Sequence, residues 1–252
     1  MSNWKLINQT LLYDGTFDGL LTIVFDCYTT KTLPQKIVSR QTYEPNFLDK
    51  PKLILTDEAK ANRIFHGIEK IIGQDALTHS FYCFLCTEAN KELSLLKYLC
   101  DGFEIGPKIN QKLTVSYVYD VIRMHRKAFG ECHRLKGLLR LQEVGPNLFY
   151  GSCHPDHTIL EPLGHHFMRR LPNQNLMIHD QTHHLCFITN GKTYQIIEDT
   201  HLVIPTISEQ EKQFQDLWKL FFKTIAIPER KNPRCQMQFM PKKYWQDLIE
   251  EP

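Results

Sequence analysis

The chain has 252 residues, 42% of them hydrophobic and 23% charged, a composition that excludes disordered, collagenous and disulfide-stapled classes. Its longest apolar runs, such as LLTIVF at 20–25, fall far short of the roughly 20 residues a membrane span requires, and the first residues show no export signal. A cytoplasmic protein without a membrane partner is expected.

The elements follow from periodicity. QTLLYDG at 9–15 reads as a short strand and turn, and from Thr16, a plausible N-cap, Leu20, Leu21, Val24, Phe25 and Tyr28 recur at helical spacing, predicting a helix over 17–30. A looser stretch, 31–55, carries Pro34, Pro45 and Pro51 with short extended pieces, KIVS and KLIL. Thr56, Asp57 and Glu58 open a second helix that ends near Gly73. Further helices fit 74–87, 88–101 and 115–134.

The period then changes. Leu139 and Leu141 alternate with Arg140 and Gln142, a GPN turn follows and LFYGSC returns, which reads as a hairpin. After a helix over 158–171 come three strand-like runs, NLMIH, HLCFIT and KTYQII. Asn190-Gly191 joins the last two and favours a two-residue turn with positive φ at both residues. A final helix, about 208–225, places Phe214, Leu217, Trp218, Phe221, Phe222 and Ile225 on one side. The expected class is α+β, with a helical N-terminal half and an antiparallel sheet with helices in the C-terminal half. In domain terms the reading is one domain, 1–252, with a helical part over about 16–135, a sheet-containing part over about 136–225 and a basic, aromatic tail at 226–252.

The eight cysteines, at 27, 83, 86, 100, 132, 153, 186 and 235, are read as reduced thiols. Cys83 and Cys86 form a CxxC with no second pair to complete a tetrahedral site, so buried helix thiols are expected, and no metal. No cofactor is legible: GxSxG, Walker and GxGxxG motifs are absent from the sequence.

The net charge is +2, but it is unevenly spread. Arg123 to Arg140 holds six Lys or Arg against the single acid Glu131, and Glu229 to Trp245 holds five against one, so these segments carry +5 and +4 and the remainder about −7. Such concentration suits a phosphate-binding surface, and equally suits solvated bases. In the tail, Arg230, Lys231, Arg234, Lys242 and Lys243 alternate with Phe239, Tyr244 and Trp245. Bases bind phosphate and rings stack on nucleobases; alternatively, the rings anchor the tail to the fold.

Eight of the twelve histidines fall between 133 and 184. HPDH at 154–157, GHHF at 164–167 and IHD at 178–180 set imidazoles beside carboxylates, as proton transfer near neutral pH requires. The competing readings are local: His157 after Asp156 as a helix cap, and Asp180 as a turn former.

Four blocks in order, YDGTFDGLLTIVFDCY, ECHRLKGLLRLQEV, HPDHTILEPLGHHFMRRLPNQNLMIHD and ERKNPRCQMQFMPKKYW, resemble a bacterial family of DNA-metabolism proteins built on a domain of unknown function. The resemblance runs from about Leu12 to Trp245 and is weakest over 31–115. It implies a role in DNA repair or modification together with a radical S-adenosylmethionine protein, and supplies no reaction. Carried over by motif, the family's positions include Tyr13, Asp14, Phe17, Asp18 and Gly19, then His133, Arg134, Gly137 and Arg140, then Asp156, His157, His166, His179 and Asp180. Leu138 stands where Phe is expected, and His154 where an acid is expected.

The expected function is therefore DNA metabolism through nucleic-acid binding. Arg123, Arg126, Arg134, Arg140, Arg230, Arg234, Lys242, Lys243, Tyr244 and Trp245 are the candidate contacts. Two alternatives remain. One is a hydrolase or base-processing enzyme using His133, Asp156, His157, His166, His179 and Asp180, and the other a non-catalytic adaptor for the partner enzyme.

Overall fold

The computed structural model describes residues 4–45, 49, 51–201 and 206–250. The chain is α+β and divides into two compact units, Met1–Ala128 and Phe129–Pro252.

In the first unit β1 (Lys5–Tyr13) runs into α1 (Phe17–Thr30), where Thr16 accepts a hydrogen bond from the Gly19 N–H as the cap requires. The helix buries Leu20, Leu21, Ile23, Val24 and Cys27 and stops at Lys31, whose φ of 51° is left-handed. It delivers the chain to β2 (Thr32–Ser39), which pairs with β1 in parallel, and β3 (Lys52–Leu53) pairs with β1 on its other side, also in parallel. This three-stranded sheet, β2-β1-β3, lies across the stretch that the sequence presented as loose. Pro34 masks it, yet Pro34 stands on an edge strand, where a missing N–H costs no ladder bond. Helix α2 (Glu58–Gly67), capped by Asp57, continues through a single π turn to Ile72. Helices α3 (Gln74–Leu85) and α4 (Lys91–Ile105) follow, and Leu95, Leu96, Tyr98, Leu99 and Cys100 make α4 a core element. Cys83 and Cys86 are both buried free thiols, and burial pushes both pKa values up. No helix among the described residues is long and apolar enough to cross a membrane.

Helix α5 (Ser116–Leu138) crosses the boundary between the units. The second unit is a five-stranded sheet in the order β4-β5-β6-β7-β8, formed by β4 (Gln142–Gly145), β5 (Leu148–Cys153), β6 (Asn175–Asp180), β7 (Leu185–Thr189) and β8 (Tyr194–Glu198). Three of its pairings are antiparallel, as expected, while β5 and β6 run parallel. The reason is α6 (Leu160–Arg170), which carries the chain back so that β6 starts at the same end as β5. Helix α6 lies on the face bearing Phe187, so closely that a Cβ on Gly164 would sit 2.4 Å from that ring. The β7–β8 turn also departs from expectation. Gly191 has φ +82° but Asn190 is not in the left-handed region, and the Asn190 side chain accepts the N–H groups of Lys192 and Thr193 across a longer loop.

Beyond β8 comes α7 (Glu209–Ile225), capped by Ser208 and with no buried residue; its Phe214, Leu217, Trp218 and Phe221 stand exposed. A short turn, Pro228–Arg230, leads to α8 (Pro233–Phe239), capped by Asn232, and a last turn, Lys242–Asp247.

Candidate nucleic-acid interface

The pleat sorts the predicted histidines and aspartates. Along β5 and β6, Tyr150, Ser152 and His179 point to one face and Gly151, Ile178 and Asp180 to the other, the face on which α6 packs. His179 therefore projects from one face of the sheet, while His166, on α6, belongs to the opposite side.

His179 is buried and committed at both ring nitrogens. Nε2 lies 3.0 Å from Asp199 Oδ2 and Nδ1 lies 3.0 Å from the Tyr150 hydroxyl. The hydrogen bond from His179, joined by His184 at 3.1 Å, holds Asp199 below its ordinary value, so the ionised carboxylate takes the Nε2 proton and Nδ1 accepts from Tyr150. Burial drives the Tyr150 hydroxyl up to about 12, which keeps it a donor. Asp180 is fully buried; it accepts the N–H groups of Thr182 and His183 and lies 2.7 Å from His183 Nδ1, the geometry of a turn former. His166 is half-buried, with burial and then Lys136, Arg170 and Arg169 lowering its pKa, and His133 is exposed on α5. Among the described residues no three His, Cys, Asp or Glu side chains are gathered as a metal site would need.

Asp156 and His157 meet a residue the sequence reading passed over. Glu131, only 2% exposed on α5, accepts the backbone N–H of Asp156 at 3.0 Å and of His157 at 2.9 Å, the Lys243 ammonium at 2.6 Å and the Tyr244 hydroxyl at 2.7 Å. Lys243 also bonds the Asp156 carboxylate. The α6 N-terminus has no side-chain cap, so the backbone of 156–157 is held by Glu131 and not by capping. A signal was present: Glu131 is the one acid in a stretch of six bases.

The predicted phosphate contacts separate by their acidic partners. Arg123 bonds Glu88 at 2.6 Å, and with Lys127 it pulls that carboxyl down to about 2. Arg140 makes a two-pronged pair with Glu250 and bonds the carbonyls of Gly137 and Leu138 at the end of α5. Lys243 is taken by Glu131 and Asp156. Tyr244 is 1% exposed, which makes it an anchor and closes its ring to stacking. Trp245 is half-buried, donating to the Met240 carbonyl at 2.9 Å with Lys242 Nζ over its ring.

Arg126, Arg134, Arg230 and Arg234 are exposed and form no ion pair among the described residues; Lys223 and Lys231 share that state. Four of these six come from 223–234, where α7 and α8 border a groove of about 790 Å³. Its lining includes Phe222, Lys223, Arg230, Lys231, Cys235 and Phe239, with Ile225, Ile227 and Met240. Phe239 is 71% exposed. Lys223 and Phe222 lie in the predicted final helix, outside the tail that the sequence singled out.

The model of a family described as a domain of unknown function, DUF4130, matches residues 89–250, more than half of the chain. No curated protein and no solved structure matches it.

Proposed function

The chain belongs to the DUF4130 family, and we propose that it acts in DNA metabolism, repair or modification, by binding nucleic acid in the company of a radical S-adenosylmethionine protein. The partner and the process come from the resemblance of the four sequence blocks. The observation that carries the binding is the set of cations that form no ion pair among the described residues, Arg230, Lys231, Arg234 and Lys223, beside exposed aromatic and aliphatic surface. An exposed cation without an acidic neighbour keeps its full attraction for phosphate and gives up no internal pair on binding.

Of the two alternatives, the adaptor is favoured over the hydrolase by the commitments of His179 and Asp180. Both nitrogens of one and both oxygens of the other are held inside the protein. A base or acid whose acceptors are already filled must break those bonds before it can move a substrate proton.

The test is a titration of fluorescent DNA at several salt concentrations. Binding with log affinity falling linearly in log salt supports the reading, and no binding at low salt overturns it. Co-purification with a radical S-adenosylmethionine protein, with and without DNA, tests the adaptor role.

A further inference from the structure

We infer that the groove between α7 and α8 takes unpaired nucleotides of a single strand, with bases against Phe239 and Phe222 and phosphates on Lys223, Arg230 and Lys231. This rests on the reading above that the protein binds nucleic acid. Two features of the groove select the ligand. Its interior is apolar and aromatic, from Phe222, Ile225, Ile227, Phe239 and Met240, whereas its charged lining residues are all cations: Lys223, Arg230 and Lys231. An intact duplex presents phosphates but hides the faces of its bases, so it would meet the cations and leave Phe239 in water. An unpaired strand presents both, and ring stacking tolerates any base because every base has a π face. The 71% exposure of Phe239 is consistent with this, since an exposed phenyl ring of that size loses nothing internal when a base covers it. The complementarity of three unneutralised cations also disfavours a basic or neutral protein segment in the groove.

Cys235 provides the reporter. It lines the groove and is exposed, while the other seven cysteines are buried. Alkylation of Cys235 by iodoacetamide, followed by mass spectrometry, should slow several-fold when a short oligothymidine is bound and stay unchanged with a blunt duplex of equal length. In a binding titration Phe239→Leu, which keeps apolar bulk but removes the ring, should weaken oligothymidine by about 5- to 150-fold, the stacking of one base, and change duplex affinity by less than about 2-fold. Lys231→Ala should weaken both. Equal protection by duplex, or oligothymidine affinity indifferent to Phe239→Leu, overturns the groove assignment while nucleic-acid binding stands. Absence of binding to either DNA overturns the function proposed above as well. Protection of Cys235 that rises with protein concentration in the absence of DNA assigns the groove to a second copy of the chain and likewise overturns the inference.

Discussion

Within one basic C-terminal segment, the residues before and after Pro241 live in opposite surroundings. From Pro228 to Phe239 the cations are exposed and unneutralised and the one aromatic ring is open. From Lys242 to Glu250 the chain is tied down: Lys243 and Tyr244 to Glu131, Asp247 to His154 at 3.0 Å, and Glu250 to Arg140 and to the Trp218 indole. The same residue types, in the same alternation, serve as a ligand surface in one half and as a clasp in the other. What separates them is the supply of carboxylates: Glu131 and Asp156 bind the second half, whereas among the described residues no acid forms an ion pair with a cation of the first. A basic stretch predicts a phosphate surface only after the acids that fold against it have been subtracted.

The largest expected effect comes from breaking the clasp. Glu131 is buried with four donors aimed at it, so Glu131→Ala leaves the Tyr244 hydroxyl and the Asp156 and His157 N–H groups without their acceptor and Lys243 with Asp156 alone; each buried donor left unsatisfied costs about 1–3 kcal/mol. A melting temperature within a degree of the parent would show that the segment is not anchored there. Tyr244→Phe removes one hydrogen bond to a charged acceptor, about 1.5–3 kcal/mol, and should rank second in the same assay.

Acid sharpens the same contrast. Burial by itself would raise the Glu131 pKa, but the hydrogen bonds from Lys243, from the Asp156 N–H and from Tyr244 outweigh it and hold the carboxyl below its ordinary range. An acid depressed in the folded state contributes stability in full above its unfolded pKa, roughly 4.3, and loses it as pH falls through the lower folded value. Asp247, raised by burial, works in the opposite sense and delays the loss. Stability of the anchored half should therefore hold at neutral pH and fall below about pH 4, and Glu131→Gln should flatten that fall. A profile identical in parent and variant would remove Glu131 as its source.

The extent to which this was legible in the sequence follows the range of the forces. Caps and stripes act within a turn or two, so α1, α3, α6 and α7 could be bounded within a few residues from Thr16 and the apolar spacing. Parallel pairing depends on partners far along the chain, so the extended pieces KIVS and KLIL mark β2 and β3 in the sequence but not their parallel pairing with β1, and nothing local marks the parallel pairing of β5 with β6. The tail's alternation of bases and rings was visible, but its division at Pro241 was not. That division is set by Glu131, 112 residues from Lys243 in sequence, and nothing local in PKKYW announces it.

The smallest effect on stability is expected where the effect on binding is expected to be plain. Arg230 and Arg234 are exposed and make no ion pair among the described residues, so Arg230→Ala with Arg234→Ala should leave the melting free energy within about 0.5 kcal/mol per site. The slope of log affinity against log salt should fall by about 0.7 for each lost single-strand phosphate contact, or about 0.9 on duplex. Arg140 is the informative control, since it lies in the other basic stretch and is already spent on Glu250. Arg140→Ala should lower stability and leave the salt slope unchanged, the reverse pattern. If instead the Arg140 variant loses slope and the Arg230 and Arg234 pair does not, the ion pairs do not decide which cations meet phosphate, and the contrast between the two halves of the tail loses its functional meaning.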